Sequence, residues 1–187
     1  MNHELLKQAQ AALHIQDVSQ RSASAHLADG YDPKYNSLNL EVQSMHQVLR
    51  SEVLEPSEGI DLPRLFRVHV YLAVRWFDSS FQEGELQAPG PSQSKESPPP
   101  SEDSVDVLGR IDTNYVAEYQ LLSNPAQEVL DEFALKNVSY HVWPYFREFV
   151  TSQSARMNVP KIVLPMFQPA CNQAWNEQEA EGTSEAP

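Results

Sequence analysis

One cysteine, Cys171, stands in 187 residues, so an internal disulfide is impossible and thiolate metal clusters are excluded. A reducing compartment fits that usage. Glycine is scarce, with six residues, and no P-loop, G-x-G-x-x-G or G-x-S-x-G stretch occurs, which removes the usual phosphate cradles and the nucleophile elbow. Lys and Arg number 13 against 26 Asp and Glu. Without clustered cations there is nothing to displace counterions from phosphate, so nucleic acid is not an expected partner. No window approaches the roughly 20 apolar residues that cross a bilayer, and M-N-H-E-L-L-K-Q-A-Q carries no apolar run of signal-peptide length. The expectation is a cytoplasmic protein without membrane insertion.

Catalytic chemistry is missing as well. His3, His14, His26, His46, His69 and His141 show no H-x-x-x-H spacing, so each reads as a solvent or structural residue. Cys171 has no evident base to activate it. Arg147 and Glu148 are adjacent, and adjacent helix positions point roughly 100° apart, so they read as two separate structural contacts. No catalytic residue, cofactor or metal is expected, and the chain reads as a non-enzyme.

What is present begins with acid. The net charge is −13, but Gln82 to Asp106 holds six carboxylates against one lysine, and Asn176 to Pro187 holds four with no base, which leaves about −4 for the rest. The first stretch, with Ala88-Pro89-Gly90-Pro91 and Pro98-Pro99-Pro100, cannot bury enough apolar area to offset chain entropy, and it reads as a disordered insertion, 82–106. It is either a tolerated surface insertion or an acidic flap. The second stretch, 176–187, reads as a mobile acidic tail. The length suits one domain, 1–187, with its core at about 13–167.

Four strands are legible. Leu13 to Ala25 alternates partly. Asp29-Gly30 and Asp32-Pro33 then mark a crossover carrying Tyr31 and Tyr35, which either pack over a sheet edge or line a groove. Leu38, Leu40 and Val42 alternate with polar residues in a second strand reaching about Glu52, before a turn at Glu55-Pro56-Ser57-Glu58-Gly59. Phe66, Val68, Val70, Leu72, Val74 and Trp76 put one apolar face on a third strand, to lie against helices or a second sheet. In a fourth, from Val107 to Leu122, Ile111, Thr113, Tyr115, Ala117, Tyr119 and Leu121 share a face.

Helices follow. Asn124 as cap, Pro125 at the first helical position and Gln127 as capping-box partner predict a helix from Pro125 to about Leu135. Val142, Phe146, Phe149 and Val150 predict a longer one from about Trp143 to Met157, kinked or restarted by Pro144. Tyr140, Trp143, Tyr145, Phe146 and Phe149 read as core or as oligomer interface. An extended apolar run, V-P-K-I-V-L-P-M-F, comes next, and Gln173 to Ala180 reads as a short C-terminal helix. Strands followed by helices predict an α+β fold: a four-stranded antiparallel sheet, a long kinked helix and a short C-terminal helix.

Trp143-Pro144-Tyr145-Phe146-Arg147-Glu148, then Arg156, then the run Pro160 to Pro165, resemble the SecB family of bacterial export chaperones and SecB-like proteins. The motif is local and specific, and the order of elements extends the resemblance over roughly Leu13 to Phe167. It implies an ATP-independent holdase that assembles as a dimer-of-dimers homotetramer, binds unfolded preproteins, keeps them translocation-competent and passes them to the SecA ATPase. By the same resemblance the client groove comprises Tyr31, Tyr35, Leu38, Leu40, Val42, Ile162, Leu164, Met166 and Phe167. Exposed strand backbone, aromatics and adaptable Met suit a binder that reads no particular sequence.

The resemblance also has departures. Ser22 and His26 stand where the family's first strand presents acids to the motor. The family's apolar-x-Glu pair corresponds to Val116 and Glu118 when Ala117-Glu118-Tyr119-Gln120 sets the register. The alternative reading is a SecB-like chaperone or adaptor dedicated to one client, such as an antitoxin.

Overall fold

The computed structural model describes residues 2–35, 39–57, 59, 62–78 and 107–167. Leu38, Cys171, the 82–106 insertion, the helix expected at 173–180 and the 176–187 tail lie outside the described residues. The chain opens with α1, His3–Ala12, capped by the Asn2 side chain, which accepts from the N–H groups of Glu4 and Leu5. Leu6, Ala9 and Ala12 form its buried stripe. The Asn2 N–H donates to Glu132 at 2.6 Å, tying this lead-in to the later helices.

The strands are β1 (Leu13–Leu27), β2 (Leu40–Leu54), β3 (Leu65–Asp78) and β4 (Val107–Leu121), in one antiparallel sheet of order β1-β4-β3-β2. β1 and β2 are consecutive in the chain yet lie at opposite edges. The crossover between them must therefore travel past two strands, about 14 Å at the ordinary strand spacing. It turns at Gly30, whose φ of +84° suits a residue without Cβ. Asp32 caps the second bend by accepting from the Lys34 N–H at 2.9 Å.

The period-two pattern of β3 sends Phe66, Val68, Val70, Leu72, Val74 and Trp76 into one dry layer, none more than 1% exposed. On β4, Ile111, Thr113, Tyr115, Ala117 and Tyr119 join that layer, and the Thr113 hydroxyl is satisfied by the Leu72 carbonyl at 3.0 Å. Against it pack α2 (Gln127–Lys136) and α3 (Val138–Arg156) through Val129, Leu130, Phe133, Val142, Phe146 and Val150. Tyr119 links the layers: its ring meets Phe66 at 6.4 Å and Phe133 edge-on at 5.0 Å. The fold is α+β.

Two helix expectations need correction. α2 starts at Gln127, with Ala126 at the cap and no side-chain cap bond. The Asn124 side chain is taken instead by Arg64, which donates to it at 3.3 Å, and Gln127 donates forward to Asp131 at 2.8 Å. A tertiary contact outcompeted the local cap. The long helix begins at Val138, not near Trp143, because the break falls at Asn137. Helix continues through Pro144, which lies on the exposed side of α3 and leaves the Tyr140 carbonyl without its intrahelical N–H donor.

Candidate functional site

α3 ends at Arg156, and Asn158 takes a left-handed φ of +56° that turns the chain back, as Asn often does at a helix C-terminus. Residues 159–167 then run extended along α3 as a strap. Its pattern alternates: Ile162 and Leu164 are buried, while Lys161, Val163, Pro165 and Met166 face outward. Two side chains of α3 hold its backbone. Trp143 Nε1 donates to the Pro165 carbonyl at 2.8 Å, and Arg147 Nε donates to the Leu164 carbonyl at 2.9 Å. A cleft of about 430 Å3 between strap and helix is lined by Pro144, Arg147, Glu148, Thr151, Ser152, Val163 and Leu164.

The residues expected to form the groove divide by burial. Tyr31 is buried in the crossover, whereas Tyr35 is 78% exposed, with Lys34 Nζ 5.7 Å from its ring centroid. Burial raises the Tyr31 phenol above its ordinary pKa. Leu40 and Val42 lie on the inner face of β2, with Val42 opposite Trp76. Ile162 and Leu164 belong to the core, Met166 is 69% exposed, and Phe167 is half-buried.

The five aromatics of α3 divide too. Phe146 and Trp143 are core, Phe149 is partly buried, and Tyr140 and Tyr145 are exposed. Arg147 and Glu148 do make separate contacts: Arg147 holds the strap, and Glu148 acts on Tyr115, whose pKa burial first and then that charge push up to about 12.

Two histidines brace the inner layer. His46 Nε2 meets Ser139 Oγ at 2.5 Å, and His141 Nδ1 shares a hydrogen bond with the Tyr119 hydroxyl at 2.8 Å. Burial pushes the pKa of both imidazoles down and that of Tyr119 up, so all three groups are neutral near neutral pH. Among the described residues no cluster of His, Cys, Asp or Glu could hold a metal ion.

The outer face of the sheet carries a chain of ion pairs across all four strands. Arg21 lies 3.8 Å from Glu118, Glu118 accepts from Arg67 at 2.6 and 2.8 Å, Arg67 reaches Glu52 at 3.9 Å, and Glu52 meets His69 at 3.1 Å. The His69 hydrogen bond holds the Glu52 carboxyl below its usual range. Toward the other end Arg75 stands opposite Arg110. Arg110 is neutralised by Asp112, and Arg75 donates to Gln43 at 3.0 Å. Burial opposes ionisation of Asp112, but hydrogen bonds from Arg110 and Tyr71 outweigh it and lower its pKa. Val116, in the middle of this face, is 1% exposed, and the Glu118 side chain is 18% exposed.

Sequence reading gave His46 only as a solvent or structural residue and singled out neither Ser139 nor Arg67. A signal existed for His46, which continues the even-numbered face of Leu40 and Val42 on β2. Nothing local announces Arg67 as the partner of Glu118, 51 residues away.

No protein-family model matches the chain, and no curated protein matches it. Among solved structures it resembles the Mycobacterium tuberculosis Rv1957 SecB-like chaperone, solved in complex with a ChAD peptide from the Rv1956 HigA1 antitoxin. The TM-score is 0.60 at 15% identity, over 89% of this chain and 98% of that one. The sheet order, the helices packed on one face and the segment returning along the long helix thus form a SecB-like fold.

Proposed function

We propose that this chain is an ATP-independent holdase, a chaperone that binds non-native polypeptide without chemistry of its own. One observation carries the reading: β2 is an edge strand of 15 residues, and Val42, Met45 and Leu49 on it remain 38–56% exposed. Unpaired strand backbone beside exposed apolar side chains recognises an extended segment of almost any sequence. The likeness in fold to a SecB-like chaperone that holds a peptide supports it. The client groove comprises the crossover tyrosines, the inner face of β2 and the outer residues of the strap. Assembly as a dimer of dimers in the cytoplasm completes the reading, with the free edge β1 and exposed Tyr145 available to cover.

Two versions follow from it. In the first the chain keeps preproteins translocation-competent and meets the SecA motor through Val116 and Glu118. In the second it serves one client, such as an antitoxin. The ion pairs that occupy Glu118, the burial of Val116, and Ser22 and His26 in place of acids favour the second. Light scattering of the purified protein, alone and with an unrelated unfolded client, tests both. A tetramer that captures the client supports general export chaperoning. A dimer or tetramer that ignores it while protecting one short apolar segment supports the dedicated chaperone. Failure to bind any non-native chain overturns the holdase.

A further inference from the structure

The ring of Phe167 is surrounded. His46 of β2 lies 5.4 Å away between centroids, and Tyr140 and Trp143 of α3 lie at 5.3 and 5.4 Å. The planes meet at 65°, 82° and 56°, so every contact is edge-on or tilted, the geometry aromatic quadrupoles favour. Tyr140 and Trp143 are three residues apart and share a helix face, while His46 comes from a strand nearly a hundred residues earlier.

Two of the three walls are fixed by polar bonds that leave their rings free for a guest: His46 to Ser139, and Trp143 to the Pro165 carbonyl. The occupant is held differently from the rest of its segment. Ile162 and Leu164 are anchored by burial, Leu164 and Pro165 by bonds to their carbonyls, and Met166 by Arg147, whose Nη1 donates to its Sδ at 3.2 Å, whereas Phe167 is held through ring contacts. The ring can therefore leave without opening the core.

We propose that His46, Tyr140 and Trp143 form a subsite for an aromatic side chain of the client, and that Phe167 fills it within the chain as a competitor the client must displace. This rests on the holdase reading and deepens it. The seated phenyl ring shows what the cage accepts. His46 lies on the same face of β2 as Leu40 and Val42, since Leu72 opposite His46 and Trp76 opposite Val42 are both inner-face residues. A client lying along that face thus delivers a side chain toward the cage from the open edge of the sheet, where Tyr140 is 45% exposed. A site closed by its own chain for part of the time binds with an affinity reduced by the open fraction, which confines tight binding to clients that supply an aromatic ring.

The test titrates the full chain with two labelled peptides, an extended uncharged peptide bearing one Phe among Ala and Ser, and the same peptide with that Phe replaced by Ala. Fluorescence anisotropy is read for the wild type, Phe167→Ala, and Phe167→Ala combined with Tyr140→Ala. Phe167 and Tyr140 are half-buried and exposed, so both variants keep the core, which circular dichroism verifies. The expected result is about tenfold tighter binding of the Phe peptide by Phe167→Ala, no gain for the Ala peptide, and loss of the gain in the double variant. Equal affinity of wild type and Phe167→Ala for the Phe peptide, or an equal gain for both peptides, overturns the cage while leaving the holdase intact if the wild type still keeps an unfolded client from aggregating. Failure of the wild type and both variants to bind either peptide or any unfolded client overturns the holdase and the cage with it.

Discussion

The two middle strands and the two edge strands of this sheet have nearly the same length and the same kind of hydrogen bonding, yet they differ in what they bury. β3 and β4 put every second residue into the dry layer, and Ala73, Phe77 and Val116 are buried from the outer side as well. β1 buries only Leu13 of its 15 residues, and β2 buries none fully. Ladder hydrogen bonds exchange water for protein at little net gain, so stability follows the apolar area. The centre holds the fold, and the edges are left for other work. They also differ from each other. β1 is rich in Ser, Gln and His and is bulged between Ile15 and Asp17 and between Gln20 and Ser22, devices that blunt an edge. β2 carries exposed Val42, Met45 and Leu49 and a single register shift.

The contrast can be broken or sharpened by substitution. The largest effect is expected at the centre: Phe66→Ala, from a residue 1% exposed, should cost about 3–5 kcal/mol, read by urea denaturation. Next is Gly109→Ala. Gly109 stands opposite Trp76, and a Cβ there would overlap the indole ring, so overpacking should cost about 1–3 kcal/mol and lower the melting temperature. On the outer face Glu118→Gln removes the charge that Arg67 donates to, and a loss of about 1 kcal/mol is expected, shrinking in high salt.

A pH series separates the faces further. His46 and His141 have folded pKa values below the unfolded value near 6.5, so the unfolded chain takes up protons first. Stability should be full above that value and fall as pH drops below it. His141→Gln should flatten that slope, and an unchanged slope in this variant would remove His141 from the account. The smallest change in stability is expected at the edge. Met45→Ser with Leu49→Ser should stay within about 0.5 kcal/mol of wild type while weakening client capture, and a loss as large as that of Phe66→Ala would erase the distinction between centre and edge.

Much of the fold was legible. The strict alternation from Phe66 to Trp76 and from Ile111 to Tyr119 is a consequence of burial on one face only, so it located β3, β4 and their dry side. Asp29-Gly30 and Glu55 to Gly59 located turns because glycine there takes positive φ, +84° and +83°. The start of α2 was misread for a definite reason. Asn124 is a good cap in isolation, but Arg64, held by Glu55 through bonds of 2.6 to 2.9 Å, claims its side chain. The candidate site was legible only in part. Phe167, Trp143 and Tyr140 were visible as aromatics, but the ring His46 adds to them comes from another element.

The sequence alone determined what can be decided within one strand or one helix turn: the period of burial, the class of fold, and an apolar strap after the long helix. Those depend on neighbours a few residues apart. Only the tertiary structure decided that β1 and β2 are the edges, that Glu118 is tied to Arg67, and that Phe167 sits among His46, Tyr140 and Trp143. Such pairings join residues 20 to more than 100 positions apart, and their geometry is set by how strands order themselves and helices cover them, which no local pattern encodes.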